Sequence, residues 1–207
     1  MRVAGLLLTL PPPRAAQAAA VVSAALALAA GCMREPAQAV CPELAAGQLV
    51  ITEIRGTQNP KDSAGPWIEL YNASGRTIDL IGIRLAFRNG TGLPSGEAFV
   101  RRSLPAAAGS YTVLGLFSDA DPPPHVDYGF FLGNGETWLD DATLAVETCG
   151  TKLDQVGPYS LPRMGTYSLG GAPDANRNDF PTSWCTDRTL VGPTFPGTPG
   201  APNVACP

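Results

Sequence analysis

Glycine and proline interrupt this chain more often than any long helix tolerates, with 23 Gly and 21 Pro spread over 207 residues. Proline removes a backbone donor and clashes with the preceding helical turn, while glycine costs about 1 kcal/mol relative to alanine at a helix position. The alanines that favour helix are concentrated in the first fifty residues. Long helices and coiled coils are therefore excluded for the rest of the chain. Short apolar runs remain between the breakers, which is the pattern of an all-β sandwich or barrel. The length fits one domain.

The first part of the chain reads as an address rather than as part of the fold. Arg2 and Arg14 precede a run of small and apolar residues, AAQAAAVVSAALALAAGC, that ends at Cys32. The residues before it, Leu28-Ala29-Ala30-Gly31, resemble a bacterial lipobox, in which small residues admit the peptidase and the cysteine thiol receives a diacylglycerol. Ala29 stands where Leu is commoner. The alternatives are a plain secretory signal or an uncleaved helix, but the apolar run from Ala15 to Gly31 falls short of the ~20 residues a spanning helix needs. The expected organisation is thus a signal peptide over 1–31, a lipid-anchored tether over 32–46 and a sandwich domain over 47–207 with a loop-rich C-terminal segment. Two acyl chains or more on Cys32 would supply stable attachment. Met33, rather than Asp, after the cysteine directs the expectation to the outer membrane, with the periplasmic and surface faces both open. Pro11 to Pro13 split the leader, which leaves the translation start open.

Charge and cysteine usage agree with export. Losing Arg2 and Arg14 with the leader shifts the formal net charge from −4 to −6. Nucleic-acid binding requires clustered Lys and Arg to neutralise phosphates, and only Arg101-Arg102 and the alternating Arg84 and Arg88 are offered, so no nucleic-acid partner is expected. With Cys32 assigned to lipid, Cys41, Cys149, Cys185 and Cys206 form an even set suited to disulfides outside the cytosol. Three pairings are open. Joining Cys41 to Cys206 would tie the termini together and leave Cys149 with Cys185, a loop of about 37 residues worth roughly 3 to 4 kcal/mol. A zinc site lacks the close-spaced pairs it would use.

Along the mature chain, Leu49 to Ile54 reads as a first strand, and Asn59-Pro60 and Gly65-Pro66 break the chain after it. In Trp67 to Asn72, Ile68 and Leu70 share one face while Trp67, Glu69 and Tyr71 share the other. Ile83, Leu85 and Phe87 alternate with Arg84, Ala86 and Arg88, a half-buried strand with a cationic outer face. Tyr111 to Leu114, Thr143 to Val146 and Leu153 to Val156 add further strands, and Asn134-Gly135 between apolar runs predicts a tight hairpin. From Leu161 onward the chain reads as loop-rich. Its last part, GPTFPGTPGAPN, holds too many prolines for a central strand and is expected to lie over the surface or an edge.

These blocks carry a resemblance. In order they are LVITEI (49–54), WIELYNAS (67–74), IDLIGIRL (78–85), SYTVLG (110–115), LGNGETWL (132–139), Gly150 followed by LDQV (153–156), and GTPGAPN (197–203). The chain resembles a lamin-tail domain of the bacterial secreted and lipid-anchored type, over roughly residues 47–203. The resemblance implies an immunoglobulin-like β-sandwich used as a binding or structural module. No rod, nuclease or hydrolase domain accompanies it in this sequence, so a lone module on a lipid tether is expected.

Chemistry-bearing residues are few. Trp67, Trp138 and Trp184 could form an aromatic platform for a polysaccharide, although packing is the commoner use of tryptophan in a sandwich. Asp174, Asn176 and Asn178 alternate as oxygen ligands in a calcium loop do, but Asp179 replaces the sixth-position glycine and Cys185 the twelfth-position glutamate, which favours a turn. Glu53 and Glu69 could pair as acid and base if neighbouring strands set them side by side; with no cleft predicted around them, solvent-facing positions are expected. Asp140-Asp141 reads as an exposed loop. His125, the single histidine, follows Pro122 to Pro124 in a rigid connector and has no nucleophile motif assigned to it. Asn72-Ala73-Ser74 and Asn89-Gly90-Thr91 match the glycosylation sequon, which is expected to be silent in a bacterial envelope. No cofactor is expected, and no residue set selects a ligand.

The favoured function is a non-enzymatic envelope module, attached to the membrane through Cys32, that binds a protein or polysaccharide. The competing class is a metal-dependent hydrolase or nuclease that uses the acidic residues.

Overall fold

In the computed structural model the described residues are 40–132, 138, 140–191 and 195–207. The signal segment, Cys32 and the hairpin expected at Asn134-Gly135 lie outside them. Among the described residues the chain forms β-strands and a single 3₁₀ turn at Pro181–Ser183, as the spacing of its breakers requires.

Two sheets stack into a sandwich. The first has six strands: β1 (Leu49–Arg55), β2 (Trp67–Asn72), β7 (Tyr111–Gly115), β8 (Tyr128–Gly129), β11 (Thr166–Leu169) and β12 (Trp184–Asp187). Its spatial order is β12-β11-β1-β2-β7-β8. The second has four: β4 (Arg84–Asn89), β5 (Pro94–Phe99), β9 (Asp141–Thr148) and β10 (Thr151–Ser160), in the order β10-β9-β4-β5. Neighbours are antiparallel except β7 and β8. Two short pairs, β3 (Ile78–Asp79) with β6 (Pro105–Ala106) and β13 (Leu190–Val191) with β14 (Phe195–Pro196), complete the set.

Period-2 alternation builds the core. Leu49, Ile51, Ile54, Ile68, Leu70 and Leu114 of the six-stranded sheet meet Leu85, Phe87, Leu144, Val146, Leu153 and Val156 of the four-stranded one in a single buried cluster. Each such side chain contributes about 1.5–3 kcal/mol when fully buried. A register shift between Ile51 and Glu53 makes Thr52 an extra residue in β1. This bulge keeps Ile54 pointing inward and Glu53 outward, on the face away from the core.

Two features add to the expected organisation. The loop-rich chain after Leu161 also supplies two strands of the larger sheet: β11 packs beside β1, and β12 forms the edge. Their sequences, TYSL and WCTD, are four residues each, too short for alternation to declare itself. The end of the tether is also docked. Leu44 is buried in the core, Thr148 Oγ1 donates to the Pro42 carbonyl at 3.1 Å, and Arg76 Nη2 donates to the Glu43 carbonyl at 2.7 Å.

The disulfides are Cys41–Cys149 and Cys185–Cys206, with Cα atoms 5.6 Å apart in each. The termini are therefore not tied to each other, and Cys149 does not pair with Cys185. Each end of the domain is fixed separately instead: Cys41 to the β9–β10 turn and Cys206 to strand β12.

Candidate functional site

The outer face of the six-stranded sheet carries the site. Glu53 on β1 and Glu69 on β2 are direct cross-strand partners, so the strands do set the two carboxyls side by side. Neither faces solvent, however. Both are fully buried, which corrects the expectation of exposed glutamates.

Their cover is the C-terminal segment 195–203, which crosses the sheet as a strap. Thr198 donates its backbone N–H to Glu53 at 3.3 Å, and Gly200 donates its own to Glu69 Oε2 at 2.7 Å. Asn203 Nδ2 donates to the Thr52 carbonyl at 2.6 Å and to the Leu169 carbonyl at 3.2 Å. Cys206 then fixes the end of the strap to β12. Gly197 sits where the strap comes closest to the sheet, with φ of +128°; a Cβ there would lie 2.8 Å from Thr166 Cγ2 and 3.3 Å from Glu53 Oε1. Only glycine allows both that backbone angle and that approach.

Below the strap, Glu53 Oε1 accepts from Ser168 Oγ at 2.7 Å and from Thr166 Oγ1, while Glu69 Oε1 accepts from Thr52 Oγ1 at 2.8 Å. Burial pushes the Glu53 carboxyl up to about 7, against the hydrogen bonds from Thr166, Ser168 and Thr198 that pull it down. Burial, and then the charge of Glu53, hold Glu69 well above the ordinary carboxylate range. Two like charges this close and this dry oppose full ionisation of the pair.

A third buried carboxyl stitches the two sheets together. Asp154 on β10 accepts from the Ile51 N–H at 2.7 Å and from Asn178 Nδ2 at 2.6 Å, and Asn178 also donates to the Ile51 carbonyl at 3.1 Å. These side chains satisfy a stretch of β1 backbone where β11 does not pair with it. Burial raises Asp154 to about 7.

The remaining candidates are structural. All three tryptophans are buried: Trp67 packs with Val113 and Val126, Trp138 against Phe87, and Trp184 stacks on Tyr167 with centroids 4.7 Å apart. Asp174 Oδ1 accepts from the N–H groups of Asn176 and Arg177, so the suspected calcium loop is an Asx turn whose Asn178 points into the core. Among the described residues no three or more His, Cys, Asp or Glu side chains are placed to hold a metal ion together. His125 wedges between Phe117 and Phe195, with Nε2 3.1 Å from the Ala64 carbonyl, and burial lowers its pKa. Asp140 is half-buried and accepts from the Thr57 N–H, whereas Asp141 is exposed at the start of β9. Asn72 is buried and donates to three carbonyls; Asn89 caps the β4–β5 turn.

Between the β1–β2 connection and Phe117 lies a cavity of about 500 Å³ lined by Arg55, Lys61, Asp62, Leu116, Phe117 and Trp138. The fully buried Arg55 guanidinium donates to Asp62 and to the Gly65 carbonyl, and Lys61 stands exposed at the rim. Sequence reasoning passed over Asp154, Thr198, Gly200 and Asn203, and weighed Asn178 only as part of a calcium loop. The signal that pointed to a cover was the placing of Glu69 between Trp67 and Tyr71 on an outward face, since bulky aromatics on a face call for something to pack on them.

No family model matches this chain, and neither a curated protein nor a solved structure matches it.

Proposed function

We propose that this chain is a non-enzymatic binding or structural module of the bacterial cell envelope, of the lamin-tail type. It is anchored by lipid on Cys32 and recognises a protein or glycan outside the membrane. The sandwich is the rigid scaffold, and the loops around the Arg55–Lys61 cavity are the contact surface. The observation that carries this reading is the sealing of the carboxyl pair. Glu53 and Glu69, the residues best suited to acid–base work, are capped by the chain's own donors and open onto no cleft. The lipobox-like Leu28 to Cys32 and the two disulfides support export.

Mass spectrometry of the protein taken from native membranes tests the anchor: a mature N-terminus at Cys32 bearing acyl chains is expected, and an unmodified N-terminus elsewhere contradicts it. Screening the purified chain against nuclease, esterase and glycosidase substrates with calcium or magnesium tests the absence of catalysis. Metal-dependent turnover lost in Glu53→Gln or Glu69→Gln would establish the competing hydrolase class.

A further inference from the structure

We propose that the strap 195–203 is a latch that releases the sheet as its surroundings turn from acid to alkaline, because the two carboxyls beneath it are accommodated together only while they retain a proton. The geometry leads to this directly. Glu53 and Glu69 are cross-strand partners at zero exposure, and the strap places its Thr198 and Gly200 N–H groups on them.

The charges around the pair are of one sign. Besides Glu53 on β1 and Glu69 on β2, Asp187 on β12 acts on Glu53, while Asp127 before β8 acts on Glu69, which faces Tyr111 on β7. From β11 come only the hydroxyls of Thr166 and Ser168, and residues 195–203 carry no ionisable side chain. Arg55, two residues along β1, is engaged by Asp62. Full ionisation therefore meets hydrogen-bond donors but no opposite charge in the closed state, and water in the open one.

The closed state holds protons that the open state gives up. Raising the pH from the ordinary carboxyl value of 4.5 toward about 7 thus favours opening, by up to about tenfold per pH unit for Glu53 alone. Cys206 keeps the far end attached, so release is local and reversible.

Amide hydrogen exchange on the full chain in detergent, followed by mass spectrometry and corrected for the intrinsic pH dependence of exchange, reads the latch. Protection at Thr198 and Gly200 should fall at least ~10-fold between about pH 5 and about pH 8, while Val146 in β9 holds its protection. In Glu53→Gln and in Glu69→Gln the fall should shrink, and in the double variant it should shrink to within about twofold. Unchanged protection in the native protein, or an undiminished fall in the double variant, overturns the proposal. The part of the infrared band of protonated carboxyls that the double variant lacks belongs to Glu53 and Glu69, not to Asp154, and should fade over the same range as protection is lost. If that part fades while protection stays constant, the proposal is overturned.

Discussion

The two faces of the six-stranded sheet are both covered, by different means. The inner face presents Leu49, Ile51, Ile68, Leu70 and Leu114 to a second apolar sheet, and any shape-matched hydrocarbon would serve there. The outer face presents Glu53, Glu69, Thr166 and Ser168 to a strap of backbone, where each polar atom needs a particular partner. The inner face is held by area, and the outer face, beyond its small cluster of Trp67, Val113 and Val126, by hydrogen bonds. The first should therefore fail with volume, and the second with pH and with release of the strap.

The largest expected effect is on the inner face. Leu70→Ala should cost about 3–4 kcal/mol in urea unfolding, because it removes a fully buried side chain and leaves a cavity. A loss below about 1 kcal/mol would mean that the sheets do not pack as described. The outer face should answer to its tether. Replacing Cys185 and Cys206 together by Ser opens a loop spanning 21 residues, worth up to about 3 kcal/mol in the chain-entropy model, and should raise amide exchange at Thr198 and Gly200 ahead of exchange in β9. Equal exchange at the two places would remove the distinction between the faces.

Acidity is the next lever, with an effect on the order of 2 kcal/mol. Glu53 and Asp154 both titrate near 7 in the folded chain and near their ordinary 4.5 and 3.8 when unfolded, so the native state binds the extra protons between those values. Their stabilisation is complete below the unfolded values and is lost as the pH climbs through about 7. Denaturant midpoints should accordingly be higher at about pH 5 than at about pH 8; a midpoint that rises with pH contradicts the burial of these groups. The smallest effect belongs to the exposed side of the other sheet, where Arg84 bridges Glu97 and Glu147. Arg84→Ala should cost less than about 1 kcal/mol, with the difference narrowing in salt.

What the sequence discloses divides along the same line. Apolar runs between breakers located β1, β2, β4, β7, β9 and β10 to within a few residues, and in β2 and β4 alternation also told one face from the other. Strands β11 and β12 escaped because four residues hold too few repeats of that period. The strap was expected to lie over the surface, and it does, but its target was hidden. No local pattern tells Thr198 that Glu53, 145 residues earlier, lies below it. For the same reason alternation put the two glutamates on the outward face, where the flanking Trp67 and Tyr71 signal a cover but not which segment supplies it. The pairing of Cys41 with Cys149 and Cys185 with Cys206 depends on which strand ends meet in space, which residue spacing does not specify.

Carbon-13 NMR titration of the glutamate side-chain carboxyls in the folded protein tests the central claim most directly. A sealed outer face predicts that Glu53 titrates at about 7 and Glu69 well above the ordinary carboxylate range. If both titrate near 4.5, water reaches the pair, and the strap does not cover the sheet.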